Sequence, residues 1–264
     1  MRNVIKEIAA EPFDLTKILD FVQSLSLQNS AKEKLIVILG ATATGKSSLA
    51  MRLAEILGTE IISADSMSVY KNFNIGTAKP TAAELQRIKH HLIDILNPEE
   101  KFSVAEFVRL ASEIIVALNA RGKIPIVCGG TGLYIQALVE GYHFGDAKKS
   151  QSKFFKDTGE LKYNALCIGL TANRAVLYER INQRTRKMFD AGLIEEVRGL
   201  LNSGISENAQ AMLGIGYKET VQYLRGELTF DETISKISQA TRNFAKRQLT
   251  WYRRMNYIKF YNVE

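Results

Sequence analysis

Residues 40–47 read GATATGKS, and the apolar run LIVILG (35–40) leads straight into them. An apolar run closed by glycine is the pattern of a strand buried on both faces of a parallel sheet. The stretch that follows, GKSSLAMRLAEILG (45–58), has helical periodicity. Strand, G-x-x-x-x-G-K-S and helix in that order make a phosphate cradle. Its glycines let successive N–H groups converge on phosphate oxygens, and the helix start adds the positive end of its dipole. Lys46 supplies a mobile point charge and the Ser47 hydroxyl is a ligand for Mg²⁺. The whole loop, Gly40, Ala41, Thr42, Ala43, Thr44, Gly45, Lys46 and Ser47, is therefore a candidate diphosphate site. By motif alone it fits ATP equally well.

Outward from the cradle, apolar runs alternate with helical patterns. EIISA (60–64), HLIDIL (91–96), IPIVCGG (124–130), ALCIGL (165–170) and YIKFY (257–261) read as strands. Ser103 to Arg121 reads as a helix with Ser103 as cap and Glu106 at the capping-box position, and TGLYIQALVEG (131–141) as another. This alternation predicts an α/β fold, a P-loop NTPase-like parallel sheet flanked by helices. After residue 172 the patterns are mostly helical, ending in an amphipathic stretch from Phe230 to Met255. Residues 1–33 read as an appendage. There Leu15, Ile18, Leu19, Val22 and Leu25 have helical spacing behind a capping Asp14, and a polar linker follows. Residues 34–264 form the expected core, with a polar, weakly patterned segment from residue 143.

Composition narrows the classes. The chain has 264 residues, 46% hydrophobic and 24% charged, as in a globular protein. No apolar run approaches the roughly 18 residues of a membrane span. The N-terminus has neither a secretory signal nor a transit pattern, so a cytoplasmic monomer is expected. Two cysteines, Cys128 and Cys167, lie in apolar runs and read as buried thiols. With only three histidines they argue against a structural zinc site. The net charge is +7. Residues 1–140 hold 15 basic and 15 acidic side chains, whereas residues 141–264 hold 20 and 13. A basic C-terminal half suits a polyanionic partner. A nucleoside triphosphatase also needs an acid on a second strand to hold Mg²⁺. IPIVCGG has none, and LIDIL offers only Asp94.

Around the cradle lie further unusual blocks: EIISADSMSVYKNFNIGTAKPT (60–81), HHLIDILNPEEKFSVAEF (90–107), IPIVCGGTGLYIQAL (124–138), RINQRTRKMFDAGLIEEV (180–197), GIGYKETVQYLRGE (214–227) and TRNFAKRQLTWYRR (241–254). Together these resemble the tRNA dimethylallyltransferases, over about residues 34–261. The resemblance implies that the loop holds dimethylallyl diphosphate, with Mg²⁺ on Ser47, and that ATP is not hydrolysed. It implies transfer to N6 of the adenosine next to the anticodon (A37). N6 is a poor nucleophile because its lone pair is delocalised, so it needs a proton acceptor. Asp65, in SADSM, matches the family's acid and is expected to be that base, although an Asp at such a position also serves as a turn cap. Thr131 resembles the channel threonine, and Arg184 the diphosphate-binding arginine, with a surface ion pair as its alternative. Asp65, Ser66, Met67, Ser68 and Thr131 correspond to tRNA-contacting positions, as do Arg242, Lys246, Arg247, Gln248 and Arg253 on the C-terminal helix. On that helix Ile237, Phe244 and Trp251 share one face by heptad spacing, so Trp251 reads as core. Trp251 and Tyr252 are also candidate stacking platforms. The acceptor would be the anticodon stem-loop, with its adenine extruded.

This chain departs from the family pattern in three places. Ala41 replaces a proline. Ser68 replaces a glutamine that reads the tRNA. Between Gly141 and DTGELKYNALCIGL (157–170) only 15 residues, most of them polar, stand where the family inserts a helical domain that grips the anticodon stem, so residues 143–163 read as its remnant. The departures leave open an adenylate (AMP, ADP or ATP) dimethylallyltransferase, or a weakened RNA-binding relative. A small-molecule kinase would rest on the P-loop alone.

Overall fold

The central strand explains the sheet. In the computed structural model, which describes residues 8–144, 155–156 and 160–264, Lys34–Gly40 has a parallel neighbour on each side. The strands are β1 (Glu11–Pro12), β2 (Lys34–Gly40), β3 (Ile61–Ser63), β4 (His90–His91), β5 (Ile126–Gly129), β6 (Tyr142–His143), β7 (Phe155–Lys156), β8 (Asn164–Thr171) and β9 (Ile258–Asn262). The helices are α1 (Leu15–Leu27), α2 (Lys46–Leu57), α3 (Ala82–Arg87), α4 (Val104–Asn119), α5 (Gly132–Val139), α6 (Arg174–Asp190), α7 (Leu193–Asn202), α8 (Tyr217–Leu224) and α9 (Phe230–Tyr252). The main sheet has seven strands in the order β1-β9-β8-β2-β5-β3-β4, all parallel. Val37 of β2 sits opposite Val127 of β5 and Cys167 of β8. Alternate β2 residues point to opposite faces. Leu35, Val37 and Leu39 join one core, while Ile36 and Ile38 join the other. Each fully buried aliphatic chain there contributes about 1.5–3 kcal/mol.

Residues 8–33 are not an appendage. Asp14 caps α1 as expected, accepting the Thr16 N–H at 2.9 Å. The helix then buries Ile18, Val22 and Leu25 against Ile36, Ile38, Ile168 and Leu170. β1 extends the sheet beyond β9, pairing Glu11 with Tyr261. The apolar stripe thus packs onto the sheet face that β2 and β8 leave open.

HLIDIL is strand only at His91, paired within β4. Leu92 (φ 61°) and Asp94 (φ 55°) take left-handed conformations that end the strand. Ser103 caps α4, accepting the Glu106 N–H at 3.2 Å. Of the 143–163 segment, β6 and β7 form a short antiparallel hairpin, and residues 145–154 and 157–159 lie outside the described residues. The chain rejoins the core immediately afterwards: Lys162 N–H bonds Val139 O at 2.9 Å and Tyr163 is buried. Thr229 and Glu232 form a reciprocal capping box that starts the 23-residue α9.

Candidate active site

Three loops at the C-terminal ends of β2, β3 and β5 build the site, where a parallel α/β sheet places its ligands. Gly40 ends β2 at φ 148°, and a Cβ there would lie 2.3 Å from Leu170 O. Only glycine lets the cradle begin so close to β8. Within the loop, the Thr44 hydroxyl and Lys46 Nζ both donate to Ala41 O at 2.8 Å. Burial above all, with Arg184 acting in the same direction and Cys128 and Asp65 opposing, lowers the Lys46 pKa to about 8. Ser47 is exposed at the start of α2. Arg184, on α6, has a pKa lowered by burial and raised by Asp65. No hydrogen-bond or carboxylate partner is found for its guanidinium among the described residues. Among the described residues, Asp65 is the carboxylate that acts on both cations.

Asp65 follows β3. One carboxylate oxygen accepts the Met67 N–H at 2.8 Å, closing a turn. The turn-cap role and an open oxygen therefore coexist. Thr131 is the N-cap of α5, yet its hydroxyl makes no capping bond. It accepts the Ser66 N–H at 3.1 Å instead, while Thr131 N–H bonds Ala64 O at 3.2 Å. The loops carrying Asp65 and Thr131 are thereby joined. Cys167 is buried, whereas Cys128, beside Lys46 and Asp65 at the open end of β5, is only partly so. Burial pushes the Cys128 thiol up to about 11, so it stays protonated at neutral pH.

Several side chains predicted to meet RNA are turned inward. Ser68 is buried. Gln248 is buried too: its Oε1 accepts the Thr42 N–H at 2.9 Å and its Nε2 donates to Gly130 O at 2.8 Å. Its reading as an RNA contact gives way to that of an internal bridge. Tyr252 is fully buried, donating to Gly130 O at 2.9 Å, so it is not a stacking platform. Trp251 packs against Gly132, as its heptad position predicts. Arg242 is held by Asn182 Oδ1 at 2.6 Å and Gln239 Oε1 at 2.8 Å. Lys246, Arg247 and Arg253 are exposed, with no carboxylate partner among the described residues. Lys246 and Arg253 line a cavity of about 490 Å³ with Thr171, Arg174, Tyr178 and Glu264. Asp94, the acid that LIDIL offered for a metal, instead pairs with Lys79 at 2.5 Å. No cluster of three metal-ligating side chains occurs among the described residues.

Fold and site together define a P-loop α/β enzyme whose cationic cradle lies beside a carboxylate, that of Asp65. The family model "IPP transferase" matches residues 68–157 and 144–255. The tRNA dimethylallyltransferase of Carboxydothermus hydrogenoformans is 42% identical, covering 87% of this chain and 92% of that one. That of Streptococcus mutans is 41% identical, covering 88% and 93%. The crystal structure of the full-length tRNA isopentenylpyrophosphate transferase from Bacillus halodurans superposes with a TM-score of 0.80, at 37% identity over 88% of this chain and 90% of that one. This chain belongs to the IPP transferase family.

The comparisons also locate the shortfall. The Carboxydothermus match spans 287 aligned positions, whereas 87% of this 264-residue chain is roughly 230, leaving about 57 positions without a counterpart here. The two matched segments of the family model overlap at residues 144–157, on the shortened stretch.

Sequence reasoning missed the inward bridge of Gln248, the inward hydrogen bond of Tyr252 and a carboxylate clamp on the loop after Asp65. Glu196 accepts N–H groups from Asn74 at 3.0 Å, Ile75 at 2.8 Å and Gly76 at 3.3 Å, and the Tyr217 hydroxyl at 2.7 Å. The only signal was the GLIEEV and GIGY blocks, which carry no spacing that predicts the contact.

Proposed function

We propose that this chain transfers the dimethylallyl group of dimethylallyl diphosphate to N6 of the adenosine adjacent to the anticodon (A37) of tRNA. The observation that carries this reading is the placement of two poorly partnered cations, Lys46 and Arg184, beside Asp65 at one end of the sheet. In the reaction the C1–O bond to diphosphate breaks, the N6–C1 bond forms, and the N6 proton passes to the carboxylate of Asp65. The P-loop amides, Lys46 and Arg184 stabilise charge on the departing diphosphate. Thr131 fixes the loop that carries Asp65. Ser47, exposed at the start of α2, would hold Mg²⁺, and no cluster of acids among the described residues competes for it. When bound it would add a further positive charge for the leaving group.

The exposed Lys246, Arg247 and Arg253 supply phosphate contacts for the RNA. No helix among the described residues is long and apolar enough to cross a membrane. The shortened stretch after Gly141 favours a second reading, an adenylate as acceptor. The tRNA reading is preferred because the relatives named for tRNA match along nearly their whole length. The test is nucleoside analysis of unmodified tRNA after incubation with the protein, Mg²⁺ and dimethylallyl diphosphate. N6-dimethylallyladenosine at the position next to the anticodon is expected. Its absence from tRNA would overturn the reading.

A further inference from the structure

We infer that Gln248 is a positioning residue that sets the donor cradle against the acceptor loop, an inference that rests on the prenyl-transfer reading above. α9 passes behind both loops. Its residues 248 and 252, four apart, lie on one face of the helix. Both reach the carbonyl of Gly130, the residue before Thr131, at 2.8 and 2.9 Å. Gln248 alone spans the gap, because its carbonyl end takes the amide of Thr42 at 2.9 Å inside the cradle. A Cβ on Gly130 would stand 2.4 Å from the Gln248 amide nitrogen, so glycine is what lets the bridge close.

The bridge demands an amide. One end must accept from an N–H and the other must donate to a carbonyl. Gln248 is buried and its bond to Gly130 fully so, while the Thr42 end is part-buried, so an end left unsatisfied is poorly compensated by water. Neighbouring Ala245 and Leu249 pack with Ala41, Ala43, Leu177 and Ile181, which fixes α9 against the wall of the cradle. The other face of the same helix carries Lys246, Arg247 and Arg253. One rigid element therefore holds the loop that binds the diphosphate, the loop that carries Thr131, and the cations that meet the RNA. Because Thr131 in turn bonds Ser66 N–H, the register set by Gln248 extends to the loop of Asp65.

Gln248→Met keeps the length of the side chain and removes both bonds. With donor prebound and tRNA saturating, its single-turnover rate is expected to fall about 10- to 100-fold, as small misplacements of reacting groups do. Dissociation constants for donor and for tRNA should stay within about threefold. A direct RNA contact would behave in the opposite way: weaker tRNA binding with an unchanged saturated rate. That outcome overturns the inference.

Gln248→Glu gives a test that survives loss of fold in the methionine variant. Its ionised form puts an oxygen against Gly130 O, whereas its protonated form can again donate. The ratio of its single-turnover rate to that of the wild type should rise as pH falls. A flat ratio contradicts the bridge. If the wild type itself transfers nothing to tRNA, the function reading fails. If the wild type transfers and Gln248→Met matches it, only the positioning role fails.

Discussion

Thr131 Oγ1 accepts the backbone N–H of Ser66 at 3.1 Å, tying the residue after Asp65 to the N-cap of α5. A helix N-cap normally spends its hydroxyl on its own helix. Here the hydroxyl is used across the site. Thr131→Val keeps the shape and strands the Ser66 N–H, which costs about 1–3 kcal/mol locally where water is excluded. Turnover on tRNA should fall by roughly 10-fold or more at that magnitude, with donor affinity retained. Steady-state kinetics with each substrate varied checks the split.

Asp65→Asn retains an oxygen for the Met67 N–H and so preserves the turn. It removes the proton acceptor. The expected loss of single-turnover rate is about 10²- to 10⁴-fold, with donor binding unchanged. A variant with wild-type turnover would take Asp65 out of the chemistry.

Lys46 links donor binding to pH. Its pKa in the free protein is about 8, so the ammonium predominates below that value and is lost above it. Donor affinity should therefore decline as pH rises through 8. A bound diphosphate favours the charged form, so binding above pH 8 should take up a proton. Calorimetry in buffers of different ionisation enthalpy measures that uptake, and Lys46→Arg should abolish it, because a guanidinium stays charged.

Fewer cations of α9 are open to RNA than the family resemblance implies. Arg242 is engaged with Asn182 and Gln239, which leaves Lys246, Arg247 and Arg253 to meet phosphates. Replacing these three with alanine should weaken tRNA binding and reduce the magnitude of its log–log salt slope by about 0.7–0.9 per lost contact. Arg242→Ala should leave that slope near the wild-type value.

Patterns confined to one element were legible in the sequence. The strand, cradle and helix around Gly40 to Ser47, the caps at Asp14 and Ser103, and the buried β5 and β8 runs all follow from local periodicity and turn chemistry. The direction of a side chain between elements was not. Gln248 lies in a basic, helical stretch, and nothing local says that it turns inward between Thr42 and Gly130. HLIDIL has a strand composition, but left-handed Leu92 and Asp94 end the strand after His91. Residues 8–27 look detachable because their apolar stripe is short. Only the sheet face beneath shows what covers it.

The central claim is that this cradle donates a prenyl group to tRNA despite the shortened stretch after Gly141. The most direct measurement offers labelled dimethylallyl diphosphate and Mg²⁺ to the purified protein with unmodified tRNA and AMP together. The account predicts label in tRNA and none in AMP, lost in Asp65→Asn. Label in AMP alone would contradict it, because the small acceptor would then be the true substrate.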